Sequence, residues 1–396
     1  MAFIRRFFGG GKERDGGTKT PTSEIIRAYS PVLYLGNQRS AFEEADRGGV
    51  IDGFEKLGFT ICALTPDKAQ VTPRAQDLGF MANPALVDGI ERTKILGSIP
   101  GIEKPTEYTF TEVLRLPGPF VAKNLRDDRG ESVCYLEGRE NITKFIAWSF
   151  AFRIPETSDH RKLWKRSKKI IAGSEEIRKG NWNWEGFASM KPEDGWVFQE
   201  YVETPSKFYT SFRILADGYG NIHYGTLIRS PEEKGVRRLQ DPRPREDFNP
   251  MYSYLRKPDG PLHINAPHIV SNTAQGGIPI QLNGEKVTDP ANREVLIAHN
   301  IDPDNPQIPE SLVKKALIIA ITMRFGVPYT GIDFVYNQNL QDRFLEANFF
   351  PTLSAQGLGV NDMEIEQRVQ NPGNRDEVQT YLQKVLVQRI IDKTFR

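Results

Sequence analysis

The chain has 396 residues, with 52 Lys plus Arg against 51 Asp plus Glu and a formal net charge of +1. That length suffices for a large core and two or three domains, and so even a balance excludes the global electrostatic footprint of a nucleic-acid or membrane-surface protein. Only Cys62 and Cys134 occur, far apart, which excludes a disulfide framework and zinc-type spacing and fits a reducing, cytoplasmic setting.

Residues 1–29 read as a flexible basic tail, with a short docking or membrane-touching arm as the alternative: MAFIRRFF followed by the Gly-rich GGGKERDGGTKT, a linker composition without the longer apolar run of a signal peptide. An α/β alternation begins at Pro31. PVLYLG (31–36) and FTICAL (59–64) are strand candidates separated by a helix-prone polar stretch, so residues 30–85 form a small doubly wound unit. Its first turn, GNQRS, lacks the glycine spacing of a dinucleotide site. A helical stretch covers 88–99, and PFVAK (119–123) is a strand ending in Lys123, followed by the polar loop NLRDDRGES and the strand VCYLEG. Residues 140–190 read as mostly helical, and WVFQEYV (196–202) as a strand. The segments 207–217 and 221–230 pair as a hairpin across GYGN. Residues 231–262 read as a long Pro- and Arg-rich loop, the kind that is mobile or functional. A helix, ESLVKKALIIAITMRFG, leads to GIDFVYNQNLQDRFLEANFFPTL (331–353), and an amphipathic helix covers roughly 375–394. The longest apolar run, near ALIIAITM, is too short to span a bilayer.

Segment 331–353 is a hairpin of two apolar runs around a polar turn. Glu346 and Asn348, two apart, share a sheet face, and Asp333 joins them if the register allows. Oxygen donors on an apolar hairpin are costly to bury without a partner, and Mg²⁺ needs only a few protein oxygens plus substrate phosphates. Side chains that simply face water are the alternative.

The order of these pieces resembles the ATP-grasp superfamily over about residues 86–360: a strand ending in lysine, a Gly-containing loop, Gln-Glu-Tyr-Val, a downstream arginine, Ser-Asn-x-x-Gln-Gly-Gly, then Asp…Glu-x-Asn. Within it the sequence is most similar to the branch of the ribosomal-protein glutamate ligase. The resemblance implies an α/β and α+β architecture: the unit at 30–85, ATP-grasp subdomains at 86–195 and 196–365 holding ATP between antiparallel sheets, and a C-terminal helix at 366–396. It implies an ATP-dependent carboxylate–amine ligase that works through an acyl phosphate and releases ADP and phosphate. Asp333, Glu346 and Asn348 would hold one or two Mg²⁺, with Mn²⁺ able to substitute. Arg92 and Lys123 would reach the ATP phosphates, under the loop containing Gly130. Gln199, Glu200, Tyr201 and Val202 would line the adenine, and Glu203 is the nearest acid for the ribose. Arg213, Arg229 and Asn272 would stabilise the transferred phosphoryl group, with Gly276 and Gly277 allowing close backbone approach. The loop after Lys123 has a single glycine where many members have several, and Ser211 stands where an acid is usual.

A peptide or small-molecule carboxylate and an amine are the partners so implied; nucleic acid is disfavoured, and a homo-oligomer is left open. The basic stretch HRKLWKRSKK (160–169), with Arg237, Arg238, Arg243 and Arg245, suits a carboxylate-rich or phosphorylated acceptor, a solvated helix face being the alternative for 160–169, and 231–262 would act as a closing lid. A rival reading is a non-catalytic ATP-binding scaffold or sensor on the same fold.

Overall fold

The computed structural model describes residues 32–35, 60–63, 89–124, 133–138, 141–142, 145, 196–240, 264–267, 269, 273, 276–323, 329–349 and 351–395. The first two expected strands are present as β1 (Val32–Leu35) and β2 (Thr60–Ala63), paired parallel with Val32 opposite Thr60. Parallel neighbours need a crossover between them, but the connecting residues lie outside the described set. So do the expected tail, the basic stretch 160–169 and nearly all of the helical region 140–190.

Helix α1 (Gly89–Gly97) leads to β3 (Glu107–Tyr108) and α2 (Phe110–Arg115). A capping box fixes the start of α2: Glu112 N donates to Thr109 Oγ1 at 3.3 Å, and Thr109 N donates to Glu112 Oε2 at 2.7 Å. Then follow β4 (Phe120–Asn124), β5 (Cys134–Leu136) and β6 (Trp196–Glu200), in an antiparallel sheet of order β3–β6–β4–β5. Phe120, Ala122, Phe198 and Leu136 share one face, where Phe145 meets Phe198 edge-on at 6.1 Å. Val121, Lys123, Tyr135 and Gln199 share the other. Strand β6 ends at Glu200, so Tyr201 and Val202 belong to the connection that follows rather than to the strand expected through 202.

The larger sheet begins with the hairpin β7 (Phe208–Asp217) and β8 (Ile222–Glu233). Its turn is organised by buried Asp217, which accepts from Tyr219 N at 2.9 Å and Asn221 N at 3.0 Å. The expected loop at 231–262 begins differently: β8 runs on to Glu233, and β9 (Arg237–Gln240) pairs antiparallel with β10 (Ile264–Pro267). An arginine-rich polar run gives no local sign of such pairing, because its partner lies more than twenty residues away. Strand β11 (Ile278–Gln281) and helices α3 (Pro290–Ala298) and α4 (Glu310–Met323) come next. The expected hairpin follows as β12 (Tyr329–Tyr336) and β13 (Asp342–Phe349). The sheet order is β11–β8–β7–β12–β13, antiparallel throughout.

Leu312, Ala316, Ile319, Ala320 and Met323 give α4 a continuous apolar stripe, which packs on β7 and β12 and buries one face of the sheet. Helix α5 (Asp362–Arg368) straddles the boundary expected at 365. Helix α6 (Arg375–Phe395) adds Leu382, Leu386, Val387 and Ile390 to the same core. Among the described residues no helix is long and apolar enough to cross a membrane.

Candidate active site

Three neighbouring strands bring three of the expected residues into one line. Arg213 on β7 stands opposite Asp333 on β12, which stands opposite Glu346 on β13. Asn348 pairs with Gly331, one step along the same face. The register shifts after Asp333, so that Phe334 pairs with Phe344 and Leu345 is extra. This bulge lets Phe344 join Phe334 in the core while Glu346, two residues on, points to the opposite face. Adding a Cβ to Gly331 would bring it within 2.7 Å of Pro351, so the bare backbone there admits the chain leaving β13.

The side chains close on one another. Arg213 donates to Asp333 in a fork, Nε to Oδ1 at 2.8 Å and Nη2 to Oδ2 at 2.6 Å. Asn348 Nδ2 lies 2.9 Å from Glu346 Oε1 and 3.4 Å from Asp333 Oδ2. Burial raises the pKa of Asp333 above the ordinary carboxylate value; Arg213 opposes this, while facing Glu346 adds to it. Burial also disfavours ionised Glu346, but Lys123, the Asn348 amide, Arg213 and Asp333 together hold its carboxyl below the usual range. Coulomb attraction to Asp333 drives the Arg213 guanidinium pKa up against the cost of desolvation.

This donor set fits a hard divalent cation. Two facing carboxylates, one of them made protonation-prone by burial, and an amide whose oxygen can turn towards them supply the few oxygens that Mg²⁺ takes besides phosphates and water. Among the described residues no group of three or more His, Cys, Asp or Glu side chains gathers, so a cation here would need further oxygens from a bound phosphate.

Two further expected residues approach the cluster. Lys123, from the smaller sheet, is near enough to depress Glu346. Arg92 on α1 is buried, and its Nη1 donates at 3.2 Å to the carbonyl of Ala347, between the two candidate ligands of β13. Phe344 N donates at 2.6 Å to Glu103 O, so the segment from α1 to Glu103 closes the outer edge of that strand.

The hinge residues separate. Gln199 is buried on the face carrying Lys123, whereas Glu200 faces the other way and accepts from Thr106 N at 3.2 Å. Tyr201 lies edge-on to Tyr135 at 4.9 Å and stacks on Tyr209 at 6.1 Å, and Val202 is buried. Glu203 is taken by Lys234, whose Nζ donates to Oε1 at 2.5 Å and to the Thr204 carbonyl at 2.6 Å. Lys234 carried no signal in the sequence, because its role depends on two turns folding together.

One expectation needs correcting. Arg229 does not join Arg213, although their strands are adjacent: it pairs with Thr210, three residues before Arg213, and therefore lies on the opposite face. There its Nε donates to Asn292 Oδ1 at 2.7 Å, and its guanidinium sits 4.6 Å from the centre of the Phe208 ring. Gly130 and Asn272 lie outside the described residues. Gly276, with φ +83°, and buried Gly277 precede β11.

No family model matches the sequence, and no curated protein matches it. Solved structures similar to the chain include the ATP-grasp ligase PsnB with a phosphomimetic variant of its minimal precursor, Mg and ADP, at 11% identity, covering 90% of this chain and 69% of that one with a TM-score of 0.33. A Chryseobacterium gregarium RiPP-associated ATP-grasp ligase, in complex with ADP and a leader and core peptide, matches at 10% identity over 92% of this chain and 97% of its own, TM-score 0.33. The L-amino acid ligase from Bacillus licheniformis matches at 13% identity over 89% and 64%, TM-score 0.32. Superpositions this loose do not establish a shared family.

Proposed function

We propose that this chain is an ATP-grasp carboxylate–amine ligase that forms an amide bond at the expense of ATP and releases ADP and phosphate. The observation that carries the reading is the convergence of Asp333, Glu346, Asn348 and Arg213 on one sheet face, with Lys123 reaching towards it from a second sheet. Phosphoryl transfer needs positioning and charge neutralisation more than covalent help, and these residue types supply both.

A Mg²⁺ held by Asp333, Glu346 and the Asn348 amide oxygen would offset phosphate charge and fix the direction of transfer. Lys123 places a point charge on the nucleotide side. A substrate carboxylate oxygen attacks the γ-phosphorus and ADP departs, leaving an acyl phosphate. The amine nitrogen then attacks the acyl carbon, loses a proton, and expels phosphate. Arg213 offers its guanidinium to the transferred phosphoryl group, sharing it with Asp333. Tyr135, Tyr201 and Gln199 border the face on which the base would lie. Arg92 supports this machinery by holding the β13 backbone rather than by touching phosphate. A cytoplasmic setting supplies the nucleotide.

The test is ADP release and nucleotide affinity with and without Mg²⁺, wild type against Glu346→Gln. The ligase reading expects Mg²⁺-dependent ADP binding and ADP release that depends on a carboxylate and an amine together. Mg²⁺-dependent binding with no turnover on any carboxylate would favour a scaffold or sensor, and absence of nucleotide binding would remove both.

A further inference from the structure

The line of paired residues holding the carboxylates continues past Arg213. Arg213 stands opposite Thr226 on β8, and Thr226 opposite Gln281 on β11, so Glu346, Asp333, Arg213, Thr226 and Gln281 cross all five strands on one face. With strands about 4.8 Å apart, Gln281 lies about 10 Å beyond Arg213, on the side away from Glu346 and Lys123. The row changes character along its length, from two carboxylates through a guanidinium to a hydroxyl and a primary amide.

That neutral end is enclosed and half-used. Gln281 is 8% and Thr226 4% exposed. Thr226 Oγ1 donates to Gln281 Oε1 at 3.2 Å, and Gln281 Nε2 donates to Ser354 Oγ at 3.2 Å. A primary amide has two N–H groups and two acceptor positions on its oxygen; among the described residues the side chain of Gln281 uses one of each. The segment carrying Ser354 leans over this end of the sheet, its Ser354 N donating to Tyr224 Oη at 3.1 Å and its Gly357 lying against the Tyr224 ring.

We propose that this end of the row is the acceptor subsite, and that Gln281, braced by Thr226 and Ser354, is a specificity-determining residue that binds the amide edge of a peptide substrate. The assignment rests on the ligase reading above. An extended peptide presents an N–H and a C=O from one residue side by side, which match the remaining oxygen position and N–H of Gln281. A free amino acid brings an ammonium and a carboxylate, and a buried neutral amide compensates neither. The reacting carboxylate then lies over Arg213, with the peptide running on towards β11.

The experiment is affinity selection, with mass-spectrometric readout, of two pools on the full chain with Mg²⁺ and a non-hydrolysable ATP analogue. One pool holds capped Asp- and Glu-containing hexapeptides, and the other the free amino acids. Wild type is expected to retain capped peptides, and Gln281→Leu to retain them about tenfold less, the loss of a paired polar contact, with MgADP affinity kept within about twofold. If Gln281→Leu fails to fold, Gln281→Glu keeps the volume, removes the donor, and carries the same expectation. Equal peptide retention by the variant, retention of free amino acids only, or no retention while MgADP binds would each overturn the subsite and leave the ligase reading standing. Failure of wild type to bind MgADP would instead remove the ligase reading itself.

Discussion

Arg213 and Arg229 stand on adjacent strands of one sheet and live in opposite electrostatic worlds. On the face of the proposed nucleotide site, here the cleft face, Arg213 is forked to Asp333, which raises its pKa. On the helix face burial lowers the pKa of Arg229 against the pull of Asp289, and its contacts are the Asn292 amide, the Ser230 carbonyl and an aromatic ring. One face concentrates charges of both signs, Arg213 and Lys123 against Asp333 and Glu346. The other dilutes a single charge into packing. A sheet face can thus be assigned to chemistry or to stability by asking what compensates each buried charge.

The comparison is broken most directly by Glu346→Gln. Gln keeps the volume of Glu346 and an oxygen that can accept from Asn348 Nδ2, so unfolding midpoints in urea should move little, by about 1 kcal/mol or less. ADP release under Mg²⁺ should fall about 10²–10³-fold. Unchanged turnover would mean that the cleft face is as structural as the other.

The helix face answers to acid instead. His299 Nδ1 must donate to the Val295 carbonyl at 2.7 Å, so its Nε2 accepts from Thr210 Oγ1 at 2.9 Å, and the ring is held neutral. Burial pushes its pKa down from 6.5 to about 4. Because the unfolded state binds the proton more readily, this stability is complete above pH 6.5 and is lost as pH falls towards 4, by up to about 3 kcal/mol. The difference in urea stability between wild type and His299→Gln should shrink accordingly between pH 7 and pH 4.

Gly331→Ala sharpens the contrast, because it strikes the cleft face through its backbone. The new Cβ would meet Pro351 at 2.7 and 2.9 Å, costing about 2 kcal/mol and weakening Mg²⁺-dependent ADP binding through the paired Asn348. Calorimetric unfolding and nucleotide titration read the two effects separately. The smallest effect belongs to Arg229→Met, about 1 kcal/mol from lost contacts with Asn292 and Phe208, with KM for ATP unchanged. A raised KM there would return Arg229 to the cleft.

Much of this was legible in the chain itself. The two apolar runs GIDFVY and RFLEAN around a polar turn foretold β12 and β13, and ESLVKKALIIAITM foretold α4. Helix α3 went unexpected although Asp289 and Pro290 spell a cap and first turn. Strands β9 and β11, each four residues long, had too little pattern to stand out from their surroundings.

What the sequence determined alone were the local periods of the longer elements, and that Glu346 and Asn348 share a side, since two-residue spacing in a strand dictates it. What tertiary structure decided was register. A single extra residue at Leu345 aims Glu346 at Asp333, an offset of three sends Arg229 away from Arg213, and only the pairing of five strands sets Gln281 in line with both. Register is fixed by contacts between residues distant along the chain, and no local propensity encodes which of two faces a paired side chain will occupy.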